Sequence, residues 1–185
     1  MKQIVLATAA ALGVTAFAAP AQAALFQWNV DYTGFFAEDA SISGFFVADE
    51  ADAADGMVSG DEFEDWSWTW SGNSEVDAFT ISSDEGGDFD FDPTFYVDGT
   101  PNEPGVGLDQ GLFFSDDYAV DLEFLIVEDF TGDNALTSAV TFGDLEAAGT
   151  VSVSDPEPVP EPATLLGLMA LVGAATMAKR QKQVA

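Results

Sequence analysis

Apolar and polar residues alternate along much of the middle of this 185-residue chain. The three tryptophans at positions 66, 68 and 70 alternate with Ser67 and Thr69, so their rings fall on one face. A period of two is the spacing of a half-buried β-strand, whereas an amphipathic helix repeats every three or four residues. Similar runs occupy residues 26–32, 89–91, 140–142 and 151–153, and the longest one spans residues 118–126.

Turn signals separate these runs. Glycine, often next to asparagine or aspartate, accepts the backbone conformations that tight turns require. Many short strands with frequent turns predict an all-β fold, an antiparallel β-sandwich or a barrel-like domain. We predict that this domain spans residues 24–154, with one short helical piece around residues 143–148. The turn signals lie at Gly34, Gly44, Gly60, Gly72-Asn73, Gly86-Gly87, Asp98-Gly99, Gly132-Asp133 and Gly149.

The first 23 residues have the three parts of a signal peptide. A positive charge at Lys2 precedes an apolar run over residues 4–19, and Ala21 and Ala23 form an A-x-A cleavage site. We therefore predict cleavage by signal peptidase and a mature N-terminus at Ala24. A retained membrane anchor or a buried helix is the alternative, and Pro20 before the alanine-rich site disfavours both.

The C-terminus carries an uncharged apolar stretch over residues 163–178. Sixteen residues are slightly fewer than the roughly 20 of a stable transmembrane helix. The basic segment 179–185 follows at once, with Lys179, Arg180 and Lys182, and the positive-inside tendency places it in the cytoplasm. Ahead of the helix lies a Pro/Glu linker, residues 155–162, which should be stiff and extended.

The sequence Val159-Pro160-Glu161-Pro162, directly before this helix, resembles the PEP-CTERM sorting signal of bacterial surface proteins. The resemblance covers roughly the last 26 residues and implies processing by an integral-membrane exosortase. The sorting motif would then be Pro160, Glu161 and Pro162. It also implies transient anchoring in the inner membrane, followed by delivery to the cell surface or extracellular matrix. The tripeptide at 156–158 repeats the motif farther from the helix. The alternative is an ordinary single-span anchor with a proline-rich stalk.

The charge distribution excludes several classes of function. Asp and Glu number 33 and Lys and Arg only four, which gives a net charge of −29. All four basic residues lie at the ends, so the body cannot neutralise phosphates, and nucleic-acid binding is excluded. Contact with membranes is expected only through the C-terminal helix before processing. With no cysteine, the chain has neither disulfides nor thiolate chemistry.

The acidic residues suggest calcium as a cofactor. Folding brings like charges together, and either dissolved salt or bound cations must offset their repulsion. Around Gly56 the spacing matches half of an EF-hand loop, but Ala51 and Ala53 stand where carboxylates are needed. A third acidic segment surrounds Gly132, and for all three a solvated acidic face is favoured over specific calcium binding. The candidate ligands are Asp49, Asp52, Asp55 and Glu62 in the first segment and Asp84, Asp88, Asp90 and Asp92 in the second.

The composition disfavours catalysis. A Ser-His-Asp triad, a Cys-His pair and an imidazole-ligated zinc site need residues that the chain lacks, and a lysine Schiff base needs a lysine in the body. Glycoside hydrolysis by two carboxylates is formally available. With 33 acids, however, some pair at a suitable distance is expected by chance.

The tryptophans at 66, 68 and 70 allow two interpretations. Trp66, Trp68 and Trp70 could form a flat stacking platform for sugars, or they could be the inward face of a core strand. The core is favoured, because an exposed trio would be an unusually large apolar patch.

We therefore expect a non-catalytic protein of the cell surface or matrix, with exopolysaccharide as the partner that the sorting signal implies. The alternatives are a calcium-stabilised carbohydrate-binding module and a carboxylate-dependent glycoside hydrolase.

Overall fold

The computed structural model describes residues 24–90, 93–104, 111–130 and 139–160. These residues form antiparallel strands and three short 3₁₀ turns, at Ala37–Asp39, Asp52–Asp55 and Gly60–Glu62, with no α-helix among them. The all-β prediction is confirmed. The strands are β1 Leu25–Thr33, β2 Ile42–Asp49, β3 Met57–Ser59, β4 Asp65–Trp70, β5 Phe79–Ser82, β6 Asp88–Asp90, β7 Thr94–Tyr96, β8 Leu112–Phe114, β9 Tyr118–Asp121, β10 Ile126–Asp129, β11 Ala139–Phe142, β12 Thr150–Val153 and β13 Glu157–Pro158.

The first sheet has the strand order β12-β1-β2-β4-β5, and β13 also pairs with β1. The long hairpin of β1 and β2 runs from the pair Leu25↔Asp49 to the pair Tyr32↔Ile42. Alternate residues of a strand point to opposite faces of the sheet. In β1 and β4 the apolar side chains predicted to face the core are the more buried ones, as Trp28, Val30 and Tyr32 of β1 show.

The second sheet has the order β11-β10-β9-β8-β6, and β3 and β7 form a separate two-stranded ribbon. Aromatic side chains connect the layers. Trp66 and Trp68 of the first sheet lie 5.1 and 4.8 Å, ring centre to ring centre, from Phe113 of the second. Phe79 stacks on Tyr118 at 4.2 Å. These contacts across the core give a sandwich-like arrangement, held together largely by aromatic burial.

The alternating run 118–126 is a hairpin rather than one strand. It divides into β9 and β10, which pair with each other through a turn over residues 122–125. The Asp121 carboxylate accepts the Phe124 N–H at 3.1 Å, and Leu125 takes a left-handed conformation with φ of 51°. Burial raises the pKa of the Asp121 carboxyl, and this hydrogen bond partly offsets the effect. The turn contains no glycine or proline, so the turn signals in the sequence did not predict it.

Two further predictions differ from the structure. Residues 143–148 form no helix; the chain turns there, with the Ala147 N–H donating to the Asp144 carbonyl at 2.9 Å. The first sheet continues beyond the predicted domain boundary at Ser154, because β13 lies within the predicted linker.

The predicted signal peptide, sorting helix and basic tail, at residues 1–23, 163–178 and 179–185, lie outside the described residues. Within the described ranges, no helix is long and apolar enough to cross a bilayer.

Candidate functional site: the sorting tail at the edge of the first sheet

The tail leaves the domain along β1. After β12, the Ser154 N–H donates to the Asn29 carbonyl at 2.8 Å, and the Ser154 hydroxyl accepts the Asn29 N–H at 2.9 Å. β13 then pairs with the start of β1, and the Val159 N–H donates to the Leu25 carbonyl at 2.9 Å. The segment predicted to be an extended linker is therefore hydrogen-bonded to the sheet as far as Val159.

A β-bulge joins β12 to β13. β12 reaches β1 at the pair Val30↔Val153, and β13 resumes at Gln27↔Glu157. Between these pairs, residues 28–29 of β1 face residues 154–156 of the tail, so the tail carries one extra residue. Such bulges occur at sheet edges, where they redirect a strand.

The predicted mature N-terminus lies beside the outgoing tail. The Ala24 carbonyl accepts the Glu50 N–H at 3.1 Å, which fixes the chain one residue before Leu25. Because Leu25 in turn accepts from Val159, both ends of the domain emerge at the same place. Pro160, the first residue of the sorting motif, is exposed. The remaining sorting and cleavage residues lie outside the described part of the chain: Ala21, Ala23, Glu161, Pro162, Lys179, Arg180 and Lys182.

Comparison with known proteins identifies this tail. The family model described as the PEP-CTERM protein-sorting motif matches residues 158–182, so the tail of this chain carries a PEP-CTERM sorting motif. This motif supports an exported protein, sorted by an exosortase-type enzyme to the cell envelope or surface. No curated protein and no solved structure matches the chain.

The tryptophan trio lies in the core. Trp66 is 4% exposed, and Trp68 and Trp70 are fully buried. Trp70 Nε1 donates to the Val76 carbonyl at 3.2 Å. The stacking-platform interpretation is corrected by this burial, since a sugar cannot reach rings that pack against the second sheet.

The first acidic segment serves local hydrogen bonding. Asp49 Oδ1 accepts the backbone N–H groups of Ala51 and Asp52, at 2.7 and 3.1 Å. Glu62 Oε2 accepts the Ser59 N–H at 2.7 Å and the Ser59 hydroxyl at 3.2 Å, which is a capping box on the 3₁₀ turn. Asp55 Oδ1 similarly accepts the Met57 N–H at 3.0 Å. These carboxylates shape the loop between β2 and β4.

The surroundings of Asp52 in this loop disfavour the charged form of its carboxyl. Desolvation raises the pKa of its carboxyl, and repulsion from Asp49, Glu62 and Glu64 raises it further. Three of the four predicted ligands of the first segment therefore influence one another. Even so, in the described part of the chain, no group of three or more acidic residues is arranged as a metal site.

The second acidic segment is more dispersed. Asp84 lies in an exposed turn, and Asp88 and Asp90 are exposed on the short strand β6. Asp88 Oδ1 accepts the Phe89 N–H at 2.8 Å. Asp92, like Asp133 and Asn134 of the third segment, lies outside the described residues.

Two surface grooves accompany these features. One, of about 300 Å³, lies between β12 and the loop after β7 and is lined in part by Asn102, Ser152 and Asp155. The other, of about 420 Å³, lies where β5 approaches β9 and includes Glu85 and Tyr118. The first groove is lined mainly by backbone, hydroxyl and amide groups, whereas the second brings the carboxylates of Asp116 and Asp117 near that of Glu85.

Sequence reasoning found the sorting motif but missed the strand that precedes it. A signal was present, because prolines occupy every second position from 156 to 160. Proline in a sheet is confined to edges and bulges, where its missing N–H faces solvent. That spacing is compatible with a stiff linker as well, and only the pairing with β1 distinguishes the two.

Proposed function

We propose that this chain is a non-catalytic protein of the cell surface or extracellular matrix, transiently anchored in the inner membrane and then released by exosortase-type processing. The observation that carries the proposal is the sorting motif at residues 158–182, which begins within the strand that closes the edge of the folded domain. Exopolysaccharide is the partner we propose for the released domain, in keeping with the matrix setting of such sorting signals.

The chemistry of the domain supports a non-catalytic role. The sequence has no histidine and no cysteine, and its few lysines and arginines lie at the termini. In the first acidic segment, the carboxylates of Asp49, Asp55 and Glu62 accept loop and cap hydrogen bonds. A general acid or base acts from a cleft with a perturbed pKa, and Asp52 and Asp121, whose carboxyl pKa values are raised, line neither groove.

The sorting role is tested by substituting alanine for Pro160 and Glu161 in a host that expresses an exosortase. We expect the double variant to accumulate as membrane-retained precursor, because the motif that the enzyme recognises is gone. Gel mobility and the mass of the released protein measure the outcome.

A matched control is available in the same tail. Pro156→Ala with Glu157→Ala makes the same two changes in the first tripeptide, and this variant should be processed like the wild type. Normal release of the Pro160→Ala, Glu161→Ala variant would instead make residues 159–162 a simple stalk and refute the proposal.

Calcium stabilisation is the second candidate property, and the electrostatics at Asp52 favour it. The charged form of this carboxyl is disfavoured by desolvation and then by repulsion from Asp49, Glu62 and Glu64, and a nearby cation would offset the repulsion. The body of the protein, which has no internal cation, gains from screening in any case.

Thermal unfolding of the released protein distinguishes these two effects. We expect the midpoint to rise from low ionic strength with EDTA to molar NaCl, because salt screens the repulsion among the acids. Specific binding predicts an additional rise with millimolar Ca²⁺ that Mg²⁺ does not reproduce, and that Asp52→Asn reduces. Equal effects of the two ions at equal ionic strength would mean a screened acidic surface.

A further inference from the structure

The outer face of the first sheet, which turns away from the aromatic core, has a shallow depression of about 410 Å³ over its central strands β1, β2 and β4. Among the described residues that line it, Asp31 is the one acid, in a chain with 33 acidic residues. This lining contrasts with the groove beside β9, which holds Glu85, Asp116 and Asp117. The depression is lined by Asn29, Asp31, Ser43, Gly44, Phe45, Ser67 and Thr69.

Strand pairing places polar side chains in a row across this face. Asp31 of β1 lies opposite Ser152 of β12 and opposite Ser43 of β2. Ser43 also lies opposite Thr69 of β4. Thr69 in turn faces Thr80 of β5, with their hydroxyl oxygens hydrogen-bonded at 2.9 Å. Neighbouring strands are about 4.8 Å apart, so the row crosses the sheet in roughly 19 Å and offers a polar group at each step to a polymer lying across the strands.

Phe45 adds an aromatic ring beside this row. It follows Ser43 by two positions on β2, so the two side chains lie on the same face of the sheet. Its neighbours across the strands are Asn29 of β1 and Ser67 of β4. Phe45 is half-buried although this face turns away from the core, so part of its aromatic surface is accessible among polar groups.

The chemistry of these side chains matches that of a sugar. Within the described part of the chain, the Asp31 carboxylate and the Ser43 hydroxyl have no side-chain partner. A carboxylate accepts hydrogen bonds through two oxygens, and a hydroxyl can donate or accept, so the pair can meet neighbouring hydroxyls of a sugar ring. The C–H face of the same ring is apolar and can lie against an aromatic side chain such as Phe45.

We propose that this face binds an uncharged polysaccharide lying across the strands, with Asp31 and Ser43 holding sugar hydroxyls and Phe45 carrying the apolar face of a ring. The inference rests on the exopolysaccharide partnership proposed above and gives it a binding face and a ligand class. The net charge of −29 repels polymers that carry uronate, sulfate or phosphate groups. Because paired strands fix the positions of the three side chains, binding requires little ordering of the protein.

Native electrophoresis of the released protein in gels that contain a polysaccharide tests the ligand class. The neutral polymers are hydroxyethylcellulose, xyloglucan, galactomannan and dextran, and polygalacturonate is the anionic one. We expect retardation in at least one neutral polymer, unchanged by added NaCl, and none in polygalacturonate. Retardation in none of the neutral polymers, or equal retardation in polygalacturonate, would overturn the proposal.

Two pairs of variants test the face. Asp31→Ala should weaken binding of the retarding polymer by about tenfold or more, the effect of losing hydrogen bonds to a charged group. Its control is Asp88→Ala, which removes the same charge from an exposed position of β6. Phe45→Ala should weaken binding by about three- to tenfold, and its control is Phe114→Ala, at a half-buried position of β8. Equal affinities within each pair would contradict the assignment of this face.

Amide chemical shifts of the wild-type protein keep the test independent of variant folding. On titration with a soluble oligosaccharide of the retarding polymer, the amides of Ser43, Phe45 and Thr69 should shift while those of β8 and β9 stay in place. Shifts confined to β8 and β9 would refute this face and leave the exopolysaccharide partnership standing. Failure of the partnership itself gives a different result, because no polymer would then retard the wild-type protein.

Discussion

Trp68→Ala is expected to lower the free energy of unfolding by about 3–5 kcal/mol, the range for truncating a large buried aromatic side chain. Trp68 is fully buried and contacts all three layers of β-structure. Its ring centre lies 4.8 Å from that of Phe113 in the second sheet and 5.8 Å from that of Phe95 in the β3–β7 ribbon. Since small domains are stable by about 5–15 kcal/mol, the loss should be a large share of the total.

Urea unfolding followed by tryptophan fluorescence measures this change. Phe142→Ala is the matched control, because it truncates an aromatic side chain that is 66% exposed. Substitutions at such positions usually change stability by within about 0.5 kcal/mol. If Trp68→Ala cost no more than Phe142→Ala, the ring would not be part of the core, and the stacking-platform interpretation would return.

Gly44→Ala is expected to destabilise the first sheet by about 1–3 kcal/mol, through overpacking against the neighbouring strand. A Cβ at this position would overlap the Trp68 ring and lie 2.6 Å from the Ser67 carbonyl oxygen, which is backbone and has little room to move. Replacing glycine also restricts the unfolded chain, a gain of about 0.4–1 kcal/mol. The steric cost is the larger of the two effects, so the net change should be a loss.

Ser43→Ala provides the comparison for Gly44→Ala. Ser43 precedes Gly44 on β2, and its side chain points to the opposite face of the sheet. We expect its midpoint in urea to stay near that of the wild type. Equal stability of the two variants would show that β4 does not approach β2 closely at Gly44.

The strands with strong alternation were predictable from sequence, and the burial of Trp28, Val30 and Tyr32 follows the period-two pattern. Alternation favoured the tryptophan face of β4 as the buried one but could not reveal that the second sheet packs over it. Nor could it reveal the turn between β9 and β10, where an aspartate side chain replaces the usual glycine signal.

The candidate site divides in the same way. The sorting motif is a local string of residues and was found from sequence alone. The docking of β13 depends on a partner at the other end of the chain, and no local pattern encodes such a partner. The acidic segments illustrate the converse, because Asp49 and Glu62 have metal-ligand chemistry but use their oxygens for caps.

The pairing of the first strand with the last ones also constrains when the protein folds. Asn29 and Ser154 are 125 positions apart, yet they share hydrogen bonds. Contacts between distant parts of a chain form late, because a large loop must close first. The edge of the first sheet can therefore be completed only after nearly the whole domain has been translocated.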